Sequence, residues 1–409
     1  MPLNSKRTLT VILNEPYRIF FPLGMIIGLV GIGHWLFYSL GLRSTYSVYF
    51  HSFLQMHVFL GCFVAGFLLT SIPRFSGARH ATLPEVLAIL LLLLIQLVFL
   101  STGVWLGAAL CYIAFLLSMG CFIVVRFRKE KVREEPTEFV WIPMGIFHGI
   151  TGTIIYAAAR LRWAPAWMLE VGEEMTELGF IFCVVLGIGG FLAPRLLGRQ
   201  KLLVRPIEGH SLEKISKIRR RRMAVHLMAG LILFVSFWLE GLEARVLSFT
   251  LRALVITAEF VWTGSLPFPP RTEGAHAKLL WLSIWMVAAG SWVLVFFPDQ
   301  EKTMLHIIFI GGFSLMIFSV ATVVVLSHAG EAARLHHRIW TLRVVLVAVL
   351  SALTCRIIAS YFPEQYFSIL AHASAFWILA AISWLILAVP KLLTVPGSIP
   401  TEDGSCHTD

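Results

Sequence analysis

The chain has 409 residues, of which 58% are hydrophobic and only 14% are charged, and its formal net charge is +10. Soluble domains carry about 25% charged and about 45 to 50% apolar residues, so this composition excludes an ordinary soluble protein and indicates a polytopic membrane protein. The six cysteines form no CxxC pair and no zinc-type spacing, and we interpret them as small core hydrophobes.

Twelve apolar segments are long enough to cross a bilayer. Crossing takes about 20 residues of helix, because only helices and closed barrels satisfy their own backbone in lipid. In chain order the segments cover 18–42, 49–73, 82–101, 104–125, 139–160, 174–194, 223–240, 244–265, 277–298, 303–327, 339–361 and 366–390. The sequence therefore predicts an all-α bundle of about twelve transmembrane helices. The first segment is too long for a signal-peptide core and lacks a cleavage site, so we expect it to be retained.

The apolar segments leave no room for a soluble domain. We predict a cytoplasmic N-terminal segment (1–17), a membrane domain (18–392) and a polar cytoplasmic tail (393–409). Within the membrane domain, a basic cytoplasmic loop at 195–222 separates six helices in 18–194 from six helices in 223–392.

The basic residues orient these helices. With a cytoplasmic N-terminus, 26 of the 33 Lys and Arg residues fall in inner segments and five in outer loops. One missed helix would invert every later loop, so this alternation supports the count of twelve and predicts that both termini are cytoplasmic. The run KISKIRRRR (214–222) fits the same rule. We interpret it as a contact for anionic membrane lipids and predict no nucleic-acid binding.

Histidine is costly inside a bilayer, so the intramembrane histidines are candidate functional residues. His51 and His306 open the second and tenth spans on the outer side. His57 lies about 9 Å deeper than His51, at 1.5 Å of rise per residue. His372 lies one to two turns below the outer end of the last span, and His34 is in the outer half of the first. These five side chains are at depths that would let them converge in the outer leaflet.

Helix geometry limits which histidines can act together. His51 and His57 are six residues apart and point to different faces of a regular helix, so only one faces a given cofactor unless a bulge intervenes. His306 and His328 are 22 residues apart, or about 33 Å along a straight helix, and cannot bind the same metal ion.

Two interpretations of the outer histidines stay open. Imidazoles from separate helices could hold a haem iron or a copper ion inside the bundle. Alternatively, each histidine hydrogen-bonds a carbonyl or hydroxyl across a helix pair, and Gly311 and Gly312 only allow close packing. The role of Glu259 is also open: it could be a proton carrier, a hydrogen-bonded core carboxyl or a partner of Arg252.

Four segments resemble the NnrS family. The tenth span, HIIFIGGFSLMIFSVATVVVLSHAG (306–330), is similar to a family signature of a histidine, a glycine-rich turn, a methionine and an LGHTG-like end. The matching residues are His306, Gly311, Met316, Leu326, His328 and Gly330. EPYRIFFPLG (15–24), FHSFLQMHVFLGCFVAGFLLTSIPRFSGA (50–78) and LGIGGFLAPRLLG (186–198) also resemble family segments, so the resemblance covers the whole length.

The resemblance implies a bacterial inner-membrane protein that binds haem b, with copper as a second candidate, and acts in nitric oxide tolerance or denitrification-linked redox chemistry. It implies His51 and His306 as haem or copper ligands and leaves the role of the motif residue His328 open. His57 and His328 are further candidate metal ligands, and depth alone adds His372 to the cofactor ligands.

The chain also departs from the family pattern. Phe53 stands where many members have the second residue of an HxHE-like pair, which argues against a two-histidine site on that helix. Val323 stands in place of the usual arginine, and LSHAGE (326–331) in place of LGHTGR. These differences indicate a divergent member.

Other functions remain alternatives. A cofactor-free transporter or a membrane-anchor subunit of a respiratory assembly would also be a helical bundle, although the scarcity of midplane charges argues against transport. Haem-dependent redox turnover of nitric oxide is a third hypothesis. A respiratory or redox protein is the expected protein partner.

Overall fold

A computed structural model describes residues 5–130, 134–199 and 212–394, and in these ranges the chain is helical without any strand. A short helix, Ser5–Asn14, comes first. The next six helices are α1 (Tyr17–Ser39), α2 (Val48–Ser76), α3 (Leu83–Ser101), α4 (Trp105–Arg128), α5 (Thr137–Arg160) and α6 (Met168–Leu196). The last six are α7 (Leu212–Gly241), α8 (Arg245–Trp262), α9 (Ala275–Phe296), α10 (Pro298–His328), α11 (Trp340–Ala359) and α12 (Pro363–Leu393).

Each of the twelve predicted spans corresponds to one of these helices, which confirms the predicted helical membrane bundle. Within the described ranges, eleven helices are long and apolar enough to cross a membrane. The exception is α8, which carries Arg245, Arg252 and Glu259 within its 18 residues. We name the two ends of the bundle the outer end and the cytoplasmic end, following the orientation that the basic residues predict.

The basic loop predicted at 195–222 is partly helical. The first turns of α7 extend into it, so the run at 214–222 continues a membrane helix. Residues 200–211 of this loop lie outside the described part of the chain, as do residues 395–409 of the predicted tail.

Neighbouring helices pack in chain order, and α12 contacts both α11 and α1, which closes the bundle. Two helices form its interior: 89% of the most apolar window of α2 and 72% of that of α6 are buried, against 28% for α3. Close packing in this interior depends on glycine. A Cβ on Gly172 of α6 would lie 2.3 Å from the backbone nitrogen of Tyr156 on α5, so only glycine lets these two backbones meet.

Helices α2, α6 and α10 contain π-helical turns. These turns are Leu54–Phe59 in α2, Met175–Gly179 and Val185–Gly189 in α6, and Ile307–Ser314 in α10. A π turn changes the direction of the side chains that follow it and is frequent at functional sites. The turns in α2 and α10 begin directly after the segments that carry His51 and His306.

Candidate functional site

The structure brings together three side chains at the outer end of the bundle. His51 comes from α2, His306 from α10 and Arg356 from α11, and all three lie close enough to interact electrostatically. We name them the outer histidine site. The two imidazoles are half-buried.

His51 is oriented by the close contact of α1 with α2. Its Nδ1 lies 3.1 Å from the carbonyl oxygen of Gly31, and its ring contacts Trp35 edge-on at 5.5 Å between centroids. A Cβ on Gly31 would lie 2.3 Å from the side-chain nitrogen of Gln55. Glycine at position 31 therefore allows the approach that brings the carbonyl to His51. With Nδ1 donating to this carbonyl, Nε2 keeps its lone pair.

His306 is held in a similar way by its own helix. Its Nδ1 lies 2.8 Å from the carbonyl oxygen of Lys302, and its Nε2 accepts a hydrogen bond of 3.3 Å from Nε of Arg356. Arg356 also donates to the hydroxyl of Ser360 at 3.1 Å. In the described part of the chain, these hydrogen bonds of Arg356 go to no carboxylate. The guanidinium therefore adds uncompensated positive charge to the site.

The donor set fits a haem iron or a copper ion. A metal-bound histidine usually donates its second ring nitrogen to a carbonyl or carboxylate, which fixes the ring and the tautomer. Both His51 and His306 meet this condition at Nδ1. Nε2 of His51 is then available as a ligand, whereas Nε2 of His306 must first give up its hydrogen bond from Arg356.

His57 faces a different part of the bundle. It lies in the π turn of α2 and is buried. Its ring stacks on that of Tyr112 of α4 at 3.7 Å and 2°, and its Nδ1 lies 3.3 Å from the side-chain nitrogen of Gln96 of α3. The bulge does not bring His57 to the neighbours of His51. Its buried Nε2 has no hydrogen-bond partner in the described residues, and its role as a metal ligand stays a prediction.

Two other outer histidines are not placed as ligands. His372 is exposed, and its Nδ1 bonds the carbonyl of Ser368 in its own helix at 2.8 Å. His34 is buried, with Nε2 accepting from the backbone nitrogen of Ser47 at 2.7 Å and Nδ1 lying 3.1 Å from Arg43. Both ring nitrogens of His34 are therefore occupied. A ligand role for His372 stays a prediction.

His328 belongs to a separate group at the cytoplasmic end. Its ring stacks on Tyr17 at 5.0 Å, and its Nε2 contacts the Arg74 guanidinium. Arg74 pairs with Glu15 at 3.2 Å, and Glu15 pairs with Arg18 at 2.7 Å. We name these five residues the cytoplasmic cluster. It joins three of the segments that resemble the NnrS family.

A cleft of about 120 Å³ between α2, α6 and α10 is lined by apolar residues and glycine, so a cofactor placed entirely within it would lack an imidazole ligand. His328 lines a neighbouring cavity of about 180 Å³, but its Nε2 already contacts Arg74. A metal-ligand role for His328 stays a prediction. The outer histidine site, which brings two imidazoles together, is the better candidate.

Two other intramembrane polar residues, Glu259 and Arg252, form pairs within the bundle. Glu259 accepts a hydrogen bond of 2.8 Å from Nδ1 of His226, so it is a hydrogen-bonded core carboxyl. Arg252 pairs instead with Glu240 of α7. The sequence does not reveal this pair or the contact of Arg356 with His306, because each joins residues on two different helices.

The fold and this site define a multi-pass α-helical membrane protein with two imidazoles from separate helices near one end. The family model described as NnrS protein matches residues 11–395. The chain therefore belongs to the NnrS family. No curated protein matches it.

Proposed function

We propose that this protein is a haem-binding protein of the bacterial inner membrane, with copper as a second candidate metal, and that it acts in nitric oxide tolerance or denitrification-linked redox chemistry. The observation that carries the proposal is the common geometry of His51 and His306, which come from different helices and donate Nδ1 to backbone carbonyls. Membership of the NnrS family supports it.

Each residue of the outer histidine site would have a distinct role. His51 and His306 would hold the metal through Nε2, and the carbonyls of Gly31 and Lys302 would fix their rings. Arg356 would stabilise negative charge, such as a haem carboxylate or an anionic ligand. The bound group would supply the redox chemistry and the binding of nitric oxide. The surrounding apolar side chains would exclude bulk water.

The test is an optical spectrum and a metal analysis of the protein purified after haem-replete expression. We expect a Soret band in the wild-type protein and its loss in His51→Ala and in His306→Ala. His337→Ala is the matched control, because His337 is exposed in the α10–α11 loop, and it should keep the band. A copper protein would instead show stoichiometric copper that is lost in the same two variants.

A wild-type protein without a Soret band or stoichiometric metal would contradict the proposal. It would favour the alternative of a membrane-anchor subunit or a cofactor-free transporter. Retention of haem with loss of nitric oxide turnover in His306→Ala would instead support a catalytic role.

A further inference from the structure

Four glutamates from three helices meet at the outer end of the bundle. Glu170 and Glu174 lie on α6, Glu240 near the end of α7 and Glu301 near the start of α10. One carboxylate oxygen each from Glu170, Glu240 and Glu301 lies within 4.8 Å of the others. Glu174 and Glu240 are only 2% exposed and Glu301 only 5%. We name these four residues the outer glutamate cluster.

Three basic residues neutralise only part of the cluster. The pairs are Arg245 with Glu170 at 3.0 Å, Lys302 with Glu174 at 2.6 Å, and Arg252 with Glu240. Glu301 has a weaker ion pair: Nζ of Lys302 is 3.9 Å from its Oε1, beyond hydrogen-bond distance. Its carboxyl also lies close enough to that of Glu174 for the two to share a proton.

Several carboxylate oxygens in the cluster are buried without a partner. Within the described ranges, Oε2 of Glu174, Oε1 of Glu240 and Oε1 of Glu301 accept no hydrogen bond. A buried acceptor without a partner loses its hydration and gains nothing in return. Three such oxygens at the junction of α6, α7 and α10 need a positive partner, which can be a shared proton or a bound cation.

The balance of acidic and basic residues around the cluster also bears on the need for a positive partner. Glu173 and Glu177 follow on α6 and interact electrostatically with the cluster. The further basic side chain that acts on Glu173 is Arg160. If all six carboxyls are ionised, these four basic residues leave two negative charges. Such an excess is costly in a buried position, so the group needs either protons on two of its carboxyls or a divalent cation.

We propose that the outer glutamate cluster is a binding site for a hard divalent cation of the size of calcium. All its donor atoms are carboxylate oxygens, which suit calcium or magnesium rather than copper. Calcium binds oxygen at about 2.3 to 2.6 Å, so oxygens on opposite sides of the ion are about 4.6 to 5.2 Å apart. The three oxygens lie within 4.8 Å of one another, so one calcium ion can reach all of them. Magnesium would draw opposite oxygens to about 4.2 Å.

The ion would enter from the outer face. The side chains of Glu170 and Lys302 are 37% and 64% exposed, so water reaches the edge of the cluster. The ligands come from α6 in the first half of the chain and from α7 and α10 in the second. The ion would therefore tie the two halves together. It would also hold the first turn of α10, where the Lys302 carbonyl orients His306.

Terbium luminescence tests the site directly, because terbium replaces calcium and is sensitised by nearby tryptophan. Trp167 and Trp238 lie three residues before Glu170 and two before Glu240, with ring centroids 6.3 Å apart. Protein purified with a chelator should show terbium emission on tryptophan excitation, and calcium should displace terbium at a lower concentration than magnesium. Calcium should also raise the unfolding temperature by a few degrees, and chelation should reverse that rise.

Glu301→Gln is the test variant, because Glu301 forms no close ion pair and its replacement leaves no basic residue without its partner. We expect it to weaken calcium binding at least about tenfold, which corresponds to about 1.4 kcal/mol. Glu243→Gln is the control, since Glu243 is an exposed glutamate three residues after Glu240. It should bind calcium as the wild type does.

Three outcomes would overturn the proposal. One is folded wild-type protein without calcium-displaceable terbium emission or a calcium-dependent unfolding temperature. Another is unchanged calcium binding in Glu301→Gln. The third is stabilisation by acid but not by calcium, which would mean that protons neutralise the cluster. None of these measurements depends on bound haem, so the result is separate from that for the proposed function.

Discussion

The two ends of α10 place the same residue type in opposite environments. At the outer end, His306 bonds a backbone carbonyl and one guanidinium, and that guanidinium donates to no carboxylate among the described residues. At the cytoplasmic end, His328 lies among Tyr17, Arg74 and Glu15, whose charges are largely paired. At the outer end, the imidazole and the guanidinium have few protein partners. At the cytoplasmic end, the imidazole and the guanidinium join α1, α2 and α10.

The different surroundings of His306 and His328 indicate that the two histidines of one motif have different functions. Residues 306–330 resemble a single family signature, yet its histidines are about 33 Å apart on a straight helix and have unrelated partners. The cytoplasmic cluster also reaches the end of α12, because Arg18 donates to the carbonyls of Leu392 and Thr394 at 2.9 and 2.8 Å. Under the proposed function, His306 would bind the cofactor, and the contacts of His328 would help to close the bundle.

The largest expected effect is on cofactor content, which should differ between variants of the two histidines. His306→Ala should lose nearly all bound haem or copper, because it removes a ligand. His328→Ala should retain the cofactor and lower the unfolding temperature, because it removes only packing on Tyr17 and the contact with Arg74. Cofactor content per protein and thermal unfolding would be measured on both variants. Equal cofactor loss in His306→Ala and His328→Ala would contradict the assignment of different roles to the two ends of α10.

The next effect concerns the stability of the cytoplasmic cluster. Arg18→Met should lower the free energy of unfolding by about 3 kcal/mol, because it removes a buried partner of Glu15 and leaves backbone carbonyls unsatisfied. Arg79→Met is the control: its side chain is 60% exposed in its pair with Glu130, and the change should cost under about 1 kcal/mol. Denaturant titration in detergent would measure both. Similar losses in the two variants would mean that the cluster does not close the bundle.

A smaller effect should arise at the contact of α1 with α2. Gly31→Ala would push Gln55 and shift the carbonyl that orients His51. We expect a loss of about 1 to 3 kcal/mol from overpacking and a shifted haem spectrum. The matched control is Gly33→Ala, where a Cβ would have its nearest contact at an ordinary 3.6 Å. Adding Gln55→Ala to Gly31→Ala should restore part of the stability. An unchanged spectrum would show that the Gly31 carbonyl does not orient a ligand.

The sequence predicted much of the fold because its signals are local. Apolar length and the alternation of basic residues located each span, and glycine and histidine positions marked α2 and α10. Contacts between distant segments left no such signal. Arg356 falls within the predicted span 339–361, but nothing in that segment indicates its contact with His306. Similarly, the sequence does not indicate that Glu170, Glu240 and Glu301 meet, because they lie in three different helices. The side chain of His57 packs against α3 and α4, and helix periodicity alone does not specify which helices lie next to it.

The smallest expected effect would sharpen the role of Arg356 at the outer end. Arg356→Gln keeps a donor near His306 but removes a positive charge from a site that has no paired carboxylate among the described contacts. Loss of a nearby positive charge favours the oxidised, more positive form of a metal. If a haem binds there, its midpoint potential should fall while its content stays close to wild type, and spectroelectrochemistry would measure the shift. The control is Arg43→Gln, which removes the contact with His34 rather than one with a proposed ligand, and it should change the potential less. An equal shift in both variants would mean that the potential reflects the general charge of the outer end.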